Sequence, residues 1–176
     1  MKNEQDSKRF QEENKYIHEF ADKFLVACPK CSGRAEVVLA ENIDFNPSNH
    51  LFLSRKIICS NCGYSKRKES SSGITQTLFS TQKDTSSYVV IGGNFDWYFQ
   101  ESLWLQVECC GETLWAYNKA HLEFIENYVA ATLRTRAPNI NKSLASRFPQ
   151  WIKSAKNRDE ILKAISKLKE KLNEKS

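Results

Sequence analysis

"CPKC" at residues 28–31 is matched by "CSNC" at residues 59–62, and the reading of these four sulfurs decides what the first half of the chain can be. Two C-x2-C pairs with 27 intervening residues suit a tetrahedral metal centre: each tight turn offers two thiolates, and the chain between them can double back as a hairpin that brings the pairs together. Pro29 fixes φ at the first intervening position. Gly33 and Gly63 are expected to take the left-handed conformation that such turns need. The donor set points to one zinc ion held by Cys28, Cys31, Cys59 and Cys62. An iron–sulfur site is the second reading. A thiol redox pair ranks lower, because neither pair opens a helix in a thioredoxin-like pattern. Four thiolates leave no open coordination position, so the zinc is expected to be structural.

Working outward, the 176 residues are 40% hydrophobic and 27% charged, ordinary values for a globular chain. No apolar run approaches the roughly 20 residues of a membrane-spanning helix. The N-terminal MKNEQDSKRFQEENK lacks the apolar stretch of a signal peptide. The expectation is a cytoplasmic protein without membrane association, in a compartment where paired cysteines serve metal or redox chemistry.

The formal charge of +5 is unevenly spread. Residues 134–176 hold twelve Lys/Arg against four Asp/Glu, giving +8, while residues 1–133 hold fourteen against seventeen, giving −3. Residues 28–68 are a second basic stretch, seven against three. Such an imbalance is the footprint of a phosphate-binding surface, and Arg134, Arg136, Lys142, Arg147, Lys153, Lys156 and Arg158 are the candidate contacts to DNA or RNA. Lys163, Lys167, Lys169 and Lys171 either extend that surface or form a solvated helix face. The basic residues near the cysteines either face phosphate or offset the anionic sulfurs. Trp97, Tyr98, Phe99 and Trp104 read as core, with base stacking as the competing role.

Four segments follow from these patterns. Residues 1–24 read as a polar N-terminal helix or extension with a thin seam of Phe10, Ile17, Phe20 and Phe24. Residues 25–68 read as a zinc ribbon, with RAEVVLA at 34–40 and Lys56–Ile58 as strands. Residues 69–87, ten of which are Ser or Thr, read as a linker or loop. Residues 88–176 read as a small sheet followed by a basic helical part. Asn118 is expected to cap a helix that starts at Lys119 and ends before Pro138. Further helices are expected near Lys142–Arg147 and after Pro149, and a last one opened by an Asn157–Glu160 capping box. The fold class is α+β.

Catalytic patterns are missing. His121-Leu122-Glu123 resembles half of the zinc-deaminase signature, but that chemistry needs its C-x-x-C after the histidine, and here both pairs precede it. No P-loop, G-x-S-x-G or G-x-G-x-x-G occurs, so a non-enzymatic role is expected. Cys109 and Cys110, in ECCGE, stay open between reduced packed residues, a degenerate second knuckle and a regulatory thiol. Adjacent strand residues point to opposite faces, so both would join one metal only with distortion.

The combination CPKC, CSNCGYSK, LWLQ, CCGETLWAYN, AHLEFIENYVAATLR and SLASRFPQWIKSAKNRDEILKAI resembles a family of small bacterial proteins described as transcription-factor-IIB-type zinc-ribbon-containing proteins. The resemblance covers most of residues 25–168 and implies zinc ligation at Cys28, Cys31, Cys59 and Cys62. The reading is a non-catalytic zinc-ribbon protein that binds nucleic acid through its basic C-terminal residues. The alternative is a protein-interaction adaptor that docks onto a replication or transcription complex.

Overall fold

A computed structural model describes residues 9–11, 15–41, 44, 46, 50–69, 74–77, 88–131, 133–135 and 143–174. Its architecture is mixed α+β, with antiparallel sheets and C-terminal helices.

The largest sheet has four antiparallel strands in sequence order: β2 (Phe24–Ala27), β3 (Arg34–Leu39), β4 (Arg55–Ile58) and β5 (Ser65–Lys68). Each turn of the meander at β2–β3 and β4–β5 carries one cysteine pair. Period-two alternation sets the inward face: Ala35 and Val37 are buried on β3, Arg55 and Ile57 on β4. In β2, by contrast, Phe24, Leu25 and Val26 are all buried. Strand β2 is flanked on both edges, by β3 on one and by later chain on the other. Its free edge is hydrogen-bonded to later chain, with Leu25 N donating to Tyr117 O (2.8 Å), Trp104 N to Leu25 O (2.9 Å) and Ala27 N to Ser102 O (2.8 Å).

A hairpin of β8 (Leu105–Cys109) and β9 (Glu112–Ala116) turns through Cys110 and Gly111. Their φ values of 56° and 76° match the type I′ requirement for positive φ at both loop positions. Upstream, β6 (Ile74–Thr77) and β7 (Tyr88–Ile91) pair in parallel. The expected Ser/Thr-rich linker therefore contains a strand, and residues 70–73 and 78–87 of it lie outside the described residues.

Helix α1 (Lys119–Ala130) begins as expected: the Asn118 side chain accepts from His121 N at 3.0 Å. It buries His121, Leu122, Phe124, Ile125, Tyr128 and Val129 on one face. It stops earlier than Pro138 would require, at Ala131, whose ψ of 130° is extended. The chain then forms β10 (Leu133–Thr135), which pairs in parallel with β1 (Arg9–Gln11). This pairing also corrects the N-terminal helix. The described part of residues 1–24 consists of β1, one 3₁₀ turn at Ile17–Phe20 and the start of β2. Phe10, Phe20 and Phe24 are buried as expected, but from three separate elements.

Two short helices, α2 (Leu144–Arg147) and α3 (Gln150–Lys153), lead through a 3₁₀ turn at Ala155–Asn157 to α4 (Arg158–Asn173). Helix α4 packs on α1 and β8 through Ile161, Ala164, Ile165 and Leu168. The expected capping box at its start is not made. Asn157 gives α4 no side-chain cap; its Nδ2 donates to Trp151 O at 3.0 Å, and Glu160 turns to the β8–β9 hairpin.

Residues from both sides of the Ser/Thr-rich segment share one buried cluster. At its centre Phe24 meets Trp97, Tyr98 and Tyr117, with ring centroids 5.3, 5.9 and 4.8 Å away. Trp97 Nε1 donates to Tyr117 Oη at 2.9 Å, so both polar tips are satisfied inside an aromatic core.

Candidate metal centre

The two cysteine turns are built alike. In the first, Cys28 N donates to Gly33 O (2.7 Å) and Ser32 N to Cys28 O (2.8 Å). In the second, Cys59 N donates to Tyr64 O (2.8 Å) and Gly63 N to Cys59 O (3.0 Å). The residue four after the first cysteine is left-handed in both, Ser32 at φ 58° and Gly63 at φ 70°. The expectation for Gly63 is met, while in the first turn Ser32 takes the role assigned to Gly33. Gly33 leaves room at the turn: a Cβ there would lie a tight 3.0 Å from Asn61 Nδ2 and 3.3 Å from Cys31 Sγ. Its absence lets Asn61 reach from the second turn to the first, its Nδ2 donating to Cys31 Sγ at 3.6 Å.

Closing the sheet brings all four sulfurs together. Cys28 Sγ lies 3.7 Å from Cys62 Sγ, and Cys31 Sγ lies 3.6 Å from Cys59 Sγ. All four are within 4.8 Å of one another, close enough to hold a metal ion and far beyond the ~2.05 Å of a disulfide. Lys30 N donates to Cys28 Sγ at 3.4 Å, the kind of backbone donor that steadies a thiolate. The Gly33 backbone N–H brings the Cys31 thiol from 9.0 down to about 7. Cys62 goes up to about 12: the Tyr64 backbone N–H lowers it, but burial and the sulfurs of Cys31, Cys28 and Cys59 outweigh that effect. A cation among the sulfurs relieves such crowding.

The seven basic candidates fare differently. Arg147, closing α2, and Lys156, in the 3₁₀ turn, are exposed. Lys153 donates from Nζ to Ser146 O at 2.8 Å, and Arg158 donates from Nη2 to Ala131 O at 3.1 Å, where it satisfies the end of α1. Arg134 sits on β10, and Arg136 and Lys142 lie outside the described residues. Farther along α4, Lys169 Nζ lies 2.6 Å from both carboxylate oxygens of Glu126. Lys171 stands 4.3 Å over the Trp104 ring. Lys163 and Lys167 are exposed.

His121 is buried between aromatic rings, stacked on Phe20 at 5.0 Å, and its Nδ1 accepts from Tyr117 N at 3.3 Å. Burial pushes its pKa from 6.5 to about 3. Glu123 is exposed and lies 3.7 Å from Lys119, so the histidine and the acid of H-x-E do not share a site.

Two features escaped the sequence reading. One is a cleft of about 530 Å³ lined by Leu114, Trp115, Ile125, Phe148 and Trp151, with Arg147 among its polar residues. Those residues come from β9, α1 and the segment around α2 and α3, and no local pattern unites them. The other is Glu160, which joins Cys109 and Cys110 in a second group of metal-capable side chains; a second knuckle at the two cysteines was left open by the sequence, but nothing in it pointed to the glutamate 50 residues on.

No family model matches the chain, and no curated protein or solved structure is found to be similar to it. Among the described residues no helix is long and apolar enough to cross a membrane.

Proposed function

We propose that the protein is a non-catalytic zinc-ribbon protein that binds nucleic acid. A regular tetrahedron of sulfurs around zinc, with Zn–S bonds of about 2.3 Å, has edges of about 3.8 Å; the 3.6 and 3.7 Å separations suit that ion. Cys28, Cys31, Cys59 and Cys62 would hold it in a closed shell, where it fixes the two turns and leaves no position for substrate. Bound zinc supplies charge compensation and cross-linking here.

The observation that carries the nucleic-acid reading is the bond from Arg34 Nη1 to Leu172 O, at 2.8 Å. It ties β3, where the chain leaves the first cysteine turn, to the C-terminal end of α4, so the basic residues around the cysteines and those of α4 are joined at that one point. Lys30, Lys66, Arg147, Lys156, Lys163 and Lys167, all exposed, are the side chains available to phosphate on this reading. Lys153 and Arg158 hold the scaffold.

Binding of a labelled single-stranded oligonucleotide, followed by fluorescence anisotropy across a salt series, tests the proposal. Affinity should fall steeply with salt, and each phosphate-contacting lysine replaced by alanine should lower the log–log slope by about 0.9 for duplex or 0.7 for single strands. Affinity that is absent or indifferent to salt refutes it. The ligand set has its own test: Cys59→Ser should lower bound zinc by one equivalent, and unchanged stoichiometry rejects the assignment. The adaptor reading rests on the apolar cleft, whose tryptophans suit a protein segment. One stoichiometric protein recovered after nuclease treatment supports that reading.

A further inference from the structure

Cys110 occupies the first position of a two-residue β-hairpin loop with φ 56°, a place that asparagine, aspartate or glycine fills without strain. The left-handed turn undoes the strand rule that sends neighbouring side chains to opposite faces. As a result Cys110 Sγ lies 3.5 Å from Cys109 Sγ, and both cysteines are free thiols. Glu160 reaches the same spot from the first turn of α4. Its Oε1 accepts from Cys110 N at 2.8 Å, in place of the capping bond that its position in α4 would favour. One ligand atom from each of the three residues lies within 4.8 Å of the others. Cys109 is buried, Cys110 half-buried and Glu160 exposed, so the group is anchored on one side and open on the other.

We propose that Cys109, Cys110 and Glu160 form a second cation site, distinct from the four-cysteine centre, that takes a thiophilic divalent ion of the zinc class and leaves one coordination position open. The sulfur separation selects the geometry. With metal–sulfur bonds of about 2.3 Å, a 3.5 Å bite subtends about 100°, whereas a linear two-sulfur ion would need about 4.6 Å. A carboxylate oxygen, the third candidate ligand, is a donor that zinc takes at about 2.0–2.2 Å. Two thiolates and a carboxylate carry −3, so the loaded site keeps one negative charge, against −2 for an ion enclosed by four thiolates. A mixed sulfur and oxygen set with solvent access releases its ion more readily than the closed centre, which places this site among exchangeable cations.

Equilibrium dialysis of the reduced full-length chain against micromolar Zn²⁺ or Co²⁺, with metal analysis, provides the test. The unmodified protein should take up two equivalents. Cys110→Asn, which suits the left-handed position and so retains the hairpin, should take up one. Glu160→Gln, which keeps an oxygen to accept from Cys110 N, should weaken the second equivalent by tenfold or more while far-ultraviolet circular dichroism stays unchanged. Cys59→Ser should lose the other equivalent and keep this one, so failure of either site is read separately. One equivalent in the unmodified chain, or a second equivalent indifferent to Cys110→Asn and Glu160→Gln, overturns the proposal.

Discussion

Asn118 shows how much one side chain can join. Its oxygen caps α1, while Nδ2 lies 2.7 Å from Phe20 O, 2.9 Å from Lys23 O and 3.0 Å from Asp22 Oδ1. Asn118→Ala removes the cap and strips buried carbonyls of their donor, so it should cost about 2–4 kcal/mol, measured by urea unfolding. The cysteine turns offer a paired test of backbone strain. Ser32→Gly should be neutral or stabilising by up to about 1 kcal/mol, and Gly63→Ala should destabilise by about 1 kcal/mol, because only glycine holds positive φ without penalty; melting temperatures separate the two. His121 sets an acid sensitivity. Its folded pKa of about 3 lies below the ordinary 6.5, so the unfolded chain binds the extra proton. The neutral, buried form contributes stability above pH 6.5 that is lost as pH falls toward 3, at up to about 1.4 kcal/mol per unit. Replacing His121 with phenylalanine should flatten the stability profile in that window, as followed by denaturant titration at several pH values.

Among the elements, the four-stranded sheet depends on its turns. Strand β5 is exposed along Ser65, Lys66 and Arg67 and, among the described residues, pairs only with β4, so little apolar burial would hold it once the proposed ion is removed. Chelation should therefore raise amide exchange first in β4, β5 and both cysteine turns. Helices α1 and α4, whose inward faces pack on each other, should stay protected. Loss of protection in α1 at the same chelator concentration would contradict this order. Helix α1 and the cysteine-flanking strands were legible beforehand because their signals are local: an N-cap followed by apolar residues at helical spacing, and alternating strands beside a knuckle. The end of α1 was not. Its last turn is decided by β10 pairing with β1 and by Arg158 reaching Ala131 O, contacts that no window of adjacent residues contains.

For the whole molecule, the aromatic centre makes the cysteine-bearing sheet and the C-terminal half a single packing unit. Phe24 is fully buried and touches rings from residues 97, 98 and 117. Phe24→Ala should cost about 3–5 kcal/mol, and tryptophan fluorescence and far-ultraviolet circular dichroism should still report one coincident transition. Separate transitions would show that the halves unfold independently. The reading of Trp97 and Tyr98 as core holds, because β2 supplies the surface that covers them.

The order and spacing of residues were sufficient to determine the cysteine quartet, the α+β class, the capped start of α1 and the uneven charge, since each rests on neighbours within a few positions, on simple counts or, for the quartet, on one C-x2-C motif occurring twice. Only the folded chain decided that Cys109 and Cys110 share a face, that Glu160 joins them, and that Lys153 and Arg158 serve the scaffold. Those outcomes depend on one left-handed residue and on hydrogen bonds between elements up to 50 residues apart. Distance in sequence carries no record of which partner a side chain reaches once burial has brought the elements together.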